Sequence, residues 1–374
     1  MDNTTAGSQS DPLRRALTHA LAVWAIVAPL WVVLISRRWA PDLHFAFLPA
    51  AHAVVHGASP YSAVASRQVA DGAAFLYPPL SAFLIAPFTL LPTSAAELVA
   101  MLIVAATVPA TLMVLRVRDW RCYAMAFLWW PTIIGIQTGN LTLPMVLGLA
   151  LVWRYRDRRV VGALIAGFVV ALKLFFWPVL LWFVATRRFR DAAIATAAAA
   201  FFVFVPWAGI GFADLRAYPG LLSHVSSHEG PHSYSIAALL HAMGPSWGTA
   251  TVFETLLGFG LLALMLVVGR RGRDRDAFAL AIVAILVLTP LLEMHYLALL
   301  LIVIALYRPT FGFVWAVPLL IWGAPAGNLA SPWQKVHVLV AVVAALAAVY
   351  WKWRPQTQRL RIKGWEDLSR SGGV

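Results

Sequence analysis

The chain has 374 residues, 61% of them hydrophobic and 12% charged, with a formal net charge of +13 and a mean hydropathy of +0.77. A soluble domain carries about 25% charged residues, so the composition excludes an ordinary soluble protein and fits one integral membrane domain. The positive charge does not point to nucleic acid: the arginines sit in short loops beside apolar runs, a distribution that reports membrane orientation, and no nucleic-acid-reading motif accompanies them.

In chain order, residues 1–15 are read as a disordered cytoplasmic N-terminus, 16–351 as the membrane domain and 352–374 as a basic cytoplasmic tail. Arg14-Arg15 precede the first apolar run, 16–35, and no small-residue cleavage site follows it. An uncleaved signal-anchor helix with its N-terminus in the cytoplasm is expected. The first long polar interruption, 37–79, then falls outside. Within it, 48–56 has an apolar face suited to a short interfacial helix, and Gly57 is placed to end that helix.

Further apolar runs cover 77–91, 95–115, 123–136, 141–153, 160–185, 192–207, 247–268, 277–292, 296–307, 311–324 and 336–351. The fold class expected is an all-α polytopic membrane protein of about 12 transmembrane helices with a long first extracytoplasmic loop. Two topologies compete. If every run crosses once, the loops at Arg116 and Arg154 fall outside, against the positive-inside rule. If 160–185 is two segments broken at Lys173 and an earlier run such as 77–91 does not cross, those loops move inside. In both, 37–79, 209–246 and the turn 293–296 share the outer side.

Several residues stand out against this background. Asp42 and His44 follow the first span closely, in a chain with 16 acids in all. Between apolar flanks, desolvation raises a carboxylate's pKa and strengthens it as a base. Glu293 and His295 occupy a turn between two apolar runs, and Lys173 interrupts a third. Ionisable groups at membrane depth are costly and mark functional sites, although Lys173 is also long enough to snorkel. His224, His228, Glu229 and His232 lie in 209–246, where His228-Glu229-Gly230-Pro231-His232 has the spacing of a zinc-protease helix. Pro231 argues against that reading, because proline breaks the helix that would aim both histidines at one metal. A sugar- or phosphate-contacting loop fits better. Cys122 is the single cysteine, so no intrachain disulfide forms. There is no Walker loop or Rossmann glycine pattern, and no cofactor or metal is expected.

Four short motifs in order resemble the family 87 glycosyltransferases of the GT-C superfamily: Pro41-Asp42-Leu43-His44 after the first span, Phe75-Leu76-Tyr77-Pro78-Pro79, Lys173 followed by Pro178, and Thr289-Pro290 with His295-Tyr296. The chain departs from the family's usual Gly-Gln-x-Asn, reading Gln137-Thr138-Gly139-Asn140, and from its late His-His. The resemblance implies a GT-C-type bundle at the plasma membrane with its active site on the extracytoplasmic side. It implies transfer of a sugar from a polyprenyl-phosphate donor to a lipid or glycan acceptor of the cell envelope, with inversion. Asp42 would be the general base and His44 its helper. His295 and Lys173 would bind the donor phosphate, and Tyr77, Glu293, His232 and Asn140 would contact substrate. The family includes mannosyl- and arabinosyltransferases, and mannose is favoured on numbers of members. A transporter or flippase of a lipid-linked anion also accounts for many spans with buried charge, but it predicts inverted repeats that the sequence does not show. A non-catalytic envelope-assembly partner predicts that Asp42 is dispensable.

Overall fold

The computed structural model describes residues 12–36, 39–325 and 330–350, and the described residues form helices with no strand. Most of the expected N-terminal segment, Arg37 at the start of the first loop and the basic tail lie outside the described residues. Among the described residues five helices are long and apolar enough to cross a membrane: Ala16–Ile35, Thr93–Val114, Phe189–Gly209, Trp247–Arg270 and Pro332–Tyr350. Less than two fifths of the most apolar window of each is buried within the protein. Ile26, Leu102, Phe201, Leu256 and Val340 project outward from them. An apolar surface of that extent needs an apolar environment, and hydrocarbon supplies it. The expectation of about 12 crossing helices is not confirmed: among the described residues five are of crossing length, or six if one bent pair counts as a single span.

Much of the remaining apolar sequence folds into three broken hairpins. In the first, Trp130–Thr138 and Thr142–Arg154 meet at 117°. In the second, Arg159–Leu172 stops at Lys173, and the chain returns through Leu174–Phe176 and Pro178–Ala185. In the third, Asp274–Leu288 stops at Thr289, and the chain returns through Met294–Leu299 and Leu300–Tyr307. Each break has a local cause. Gly139 takes a left-handed conformation, φ +66°. Lys173 is extended, φ −152° and ψ 108°. Pro290 restricts Thr289 to extended backbone. The outgoing or returning helices Thr142–Arg154, Arg159–Leu172 and Asp274–Leu288 have 13, 14 and 15 residues. At ~1.5 Å per residue each reaches about 20 Å, short of the ~30 Å hydrocarbon core.

The open ends of the hairpins meet. Arg156 and Arg188 both reach Asp274, at 3.3 and 3.2 Å, and Arg188 also donates to the Arg156 carbonyl at 3.1 Å. Tyr307 donates to Asp276, and the Phe311 amide donates to Asp119 at 3.1 Å. The arginine-rich loops near residues 119, 156, 188 and 274 therefore share one end of the bundle. This removes the reading in which 160–185 crosses once, because the residues flanking that run lie side by side.

The first polar segment is not an extended loop. It runs as a π-helix, Leu43–Phe47, into the helix Leu48–Val55, and Gly57, φ +69°, follows its end. A π-turn is rare and frequent at functional sites. The segment packs on itself through Phe47, Phe75 and Tyr77, whose rings lie within 4.9–5.9 Å of one another, and the Tyr77 hydroxyl reaches the hairpin tips at Asn140 and Lys173.

Candidate active site

The tips of the three hairpins carry Asn140, Lys173 and Glu293, and they meet Asp42 and Tyr77 of the first segment around one cavity of about 440 Å³. The docking of the first segment begins with a close backbone approach. The Ala40 amide donates to the Gln137 carbonyl at 2.9 Å. A Cβ at position 139 would stand 2.8 Å from the Ala40 Cβ, so glycine is required there for space as well as for φ. That contact delivers Asp42 to Asn140, whose Nδ2 donates to Asp42 Oδ2 at 2.6 Å.

The Asn140 amide has a fixed sense. Its Oδ1 accepts from the Thr142 amide at 2.9 Å, the Thr142 hydroxyl at 2.8 Å and the Tyr77 hydroxyl at 3.2 Å. Only the NH₂ group is then left to face the carboxylate. Lys173 Nζ donates to the Tyr77 hydroxyl at 2.8 Å and also to the Tyr296 hydroxyl. It lies 4.3 and 4.0 Å from the centroids of those two rings. Two phenols thus cage a buried ammonium, by hydrogen bonds and by cation–π attraction. Asp42, Asn140, Tyr77, Lys173 and Tyr296 form one connected polar chain that joins the first segment to all three hairpins.

Burial pushes the Asp42 carboxyl above the usual aspartate value, while the Asn140 hydrogen bond and the charge of Lys173 pull it back. Burial, with the neighbouring charge of Asp42, pushes the Glu293 carboxyl up against the pull of Lys173. A carboxylate held by one amide hydrogen bond, in a cavity that also holds a lysine, has the chemistry of a proton acceptor when ionised.

The other sequence-predicted residues lie elsewhere. His44 Nδ1 pairs with Glu97 at 2.6 Å, and the ring does not line the cavity. His295 is 2% exposed. It is packed behind the wall near Gly135, with Nδ1 3.3 Å from Glu293, and Tyr296 stands beside Lys173 instead. His232 lies on the 3₁₀ turn Gly230–His232 after the helix Tyr218–Glu229 ends, as Pro231 requires, and it does not line the cavity. His224 and His228 stack on one another at 5.2 Å. Sequence reasoning named Glu229 only within a rejected zinc-site spacing and Tyr296 only within a family motif, and assigned neither to the site, although both line the cavity. The scarcity of acids was a signal for Glu229. Tyr296, adjacent to the chosen histidine, carried none that separated the two. The chain also holds an Asp-x-Asp pair, Asp274-Arg275-Asp276, the type of pair by which nucleotide-sugar transferases hold a divalent metal. It sits at the arginine-rich end, engaged by Arg156, Arg188, Arg273 and Tyr307, and does not line the cavity.

Outward-facing apolar spans around a cavity of carboxylates, lysine and tyrosine define an integral membrane protein with an internal polar site. The chain belongs to glycosyltransferase family 87: the family model matches residues 75–293, more than half of its length. It is accordingly a membrane glycosyltransferase. The matched stretch contains Tyr77, Asn140, Lys173, Glu229, His232 and Glu293, whereas Asp42, His44, His295 and Tyr296 lie outside it. No curated protein and no solved structure matches the chain.

Proposed function

We propose that the enzyme transfers a sugar, mannose in the first instance, from a polyprenyl-phosphate donor to a lipid or glycan acceptor of the cell envelope. Asp42 is the general base and the product has inverted anomeric configuration. The observation that carries this reading is the chain of contacts from Asp42 through Asn140 and Tyr77 to Lys173. It joins a base to a cation in one cavity.

The step balances simply. Asp42 removes the proton from an acceptor hydroxyl. That oxygen attacks the anomeric carbon in line as the bond from this carbon to the phosphate oxygen breaks, and the electron pair leaves with polyprenyl phosphate. A phosphate leaves without a strong acid, so the protein must stabilise developing negative charge, the task of a preorganised cation. An ammonium has three donors. Two of those on Lys173 go to Tyr77 and Tyr296, and the third serves the phosphate. Apolar residues of the same cavity, among them Leu174, Phe175, Leu222 and Leu291, suit the first isoprene units.

The site is assigned to the extracytoplasmic side of the plasma membrane, since the opposite end of each hairpin carries the arginines that the positive-inside rule keeps in the cytoplasm. The purified enzyme, given polyprenyl-phosphate mannose labelled in the sugar and a lipid extract of its native membranes, should form labelled glycolipid and release polyprenyl phosphate. Labelling from a nucleotide sugar alone would contradict the assignment.

A further inference from the structure

The cavity holds a carboxylate that the chemistry above does not use. Glu229 ends the helix Tyr218–Glu229 and lines the same cavity as Asp42, Lys173 and Glu293. Its charge helps to raise the Glu293 carboxyl. Its Oε1 faces the turn at Gly72, where a Cβ would come within 3.9 Å. Glu229, within 209–246, therefore stands against the turn at Gly72 of the first polar segment.

The strap that follows it, residues 230–237, is fixed from within the membrane domain. A Cβ on Gly230 would stand 2.5 Å from the Trp247 ring, so that corner fits only glycine. Lys335, on the last crossing helix and 5% exposed, donates to the Pro231 carbonyl at 2.6 Å. Glu254, on the Trp247–Arg270 helix and 6% exposed, accepts from the Ile236 and Ala237 amides at 2.7 and 3.2 Å. Burying a lysine and a glutamate on membrane-spanning helices is costly. Both direct their hydrogen bonds to the backbone of one eight-residue strap.

We infer that Glu229 is an acceptor-binding carboxylate that receives hydrogen bonds from the hydroxyls of the acceptor sugar, and that Lys335 is the residue that positions it. The inference rests on the proposed sugar transfer. Carboxylates are acceptor-only groups when ionised and match a cluster of hydroxyl donors. Among the described residues lining the cavity Lys173 is the one cation beside three carboxylates, so it is the group there that attracts an anion. The donor phosphate is thereby drawn to Lys173, and the Glu229 wall is left to the uncharged partner.

The test measures apparent KM for polyprenyl-phosphate mannose and for the acceptor, supplied as a titrated lipid extract of the native membranes, in wild type, Glu229→Gln, Lys335→Met and Lys335→Arg. Loss of one charge-assisted hydrogen bond should raise the acceptor KM about tenfold in Glu229→Gln, with the donor KM within about twofold of wild type. Lys335→Met should show the same split, and Lys335→Arg, which keeps the donor to Pro231, should recover much of it. An unchanged acceptor KM in Glu229→Gln, or a parallel rise for donor and acceptor, overturns the inference. A fall in melting temperature in Lys335→Met without the KM split reduces Lys335 to a structural role. Absence of transfer by wild type refutes the proposed function itself, and is seen before any variant is compared.

Discussion

Asn140 Nδ2 donates to Asp42 Oδ2 at 2.6 Å across 98 positions of sequence. The bond joins the residue that follows the first span to the tip of a hairpin that enters from the opposite end of the bundle. It favours the ionised carboxylate, in opposition to burial.

Activity at low pH follows from that opposition. A general base works when ionised, so kcat/KM should fall as pH drops through the Asp42 pKa, which burial has raised. Asn140→Ala removes an interaction that lowers this pKa. Its acidic limb should therefore move to higher pH, with about a tenfold or greater loss near neutrality. A pH–rate profile checks both, and an unshifted limb would separate Asn140 from the base.

Lys173 depends on its cage. Lys173→Met should lower kcat/KM by about 10²–10³-fold, the usual cost of losing a preorganised charge at developing negative charge. Lys173→Arg should recover little, because a planar fork does not fit between two phenols set for a compact ammonium. Steady-state transfer assays on both variants measure this.

Gly139→Ala should fail structurally. A Cβ there requires a left-handed backbone and a 2.8 Å approach to Ala40, at a cost of about 1–3 kcal/mol. Melting temperature and activity should fall together. A stable variant with normal activity would mean that the first segment docks differently.

The convergence of the arginine loops predicts labelling from one side. In a background with Cys122 replaced, Arg158→Cys and Arg187→Cys should react with a membrane-impermeant thiol reagent only after the inner face is opened, and Ser226→Cys should react from outside. Labelling at 158 and 187 from opposite sides would break the second hairpin apart.

Parts of this arrangement were legible in the sequence and parts were not. A lone lysine in a long apolar run marked the break at Lys173, and Gly57 marked the end of the helix Leu48–Val55, because both are local chemistry. Whether a broken run continues or turns back is decided by tertiary contacts such as Arg188 with Arg156, which hydropathy does not encode. The choice between His295 and Tyr296 was beyond the sequence for a geometric reason. They lie in a 3₁₀ stretch, where neighbours point about 120° apart, so one lines the cavity and the other is buried behind it. Asp42 was visible as a scarce acid between apolar flanks. Its partner Asn140 was visible only as a departure from a family motif, since nothing local records a contact 98 residues away.

The most direct measurement is transfer of labelled sugar from polyprenyl phosphate by wild type and by Asp42→Asn, at matched protein level and matched melting temperature. The variant keeps the shape of the side chain and loses the base, and the account predicts a fall in kcat of at least about 10²-fold. Activity within a few-fold of wild type would contradict it.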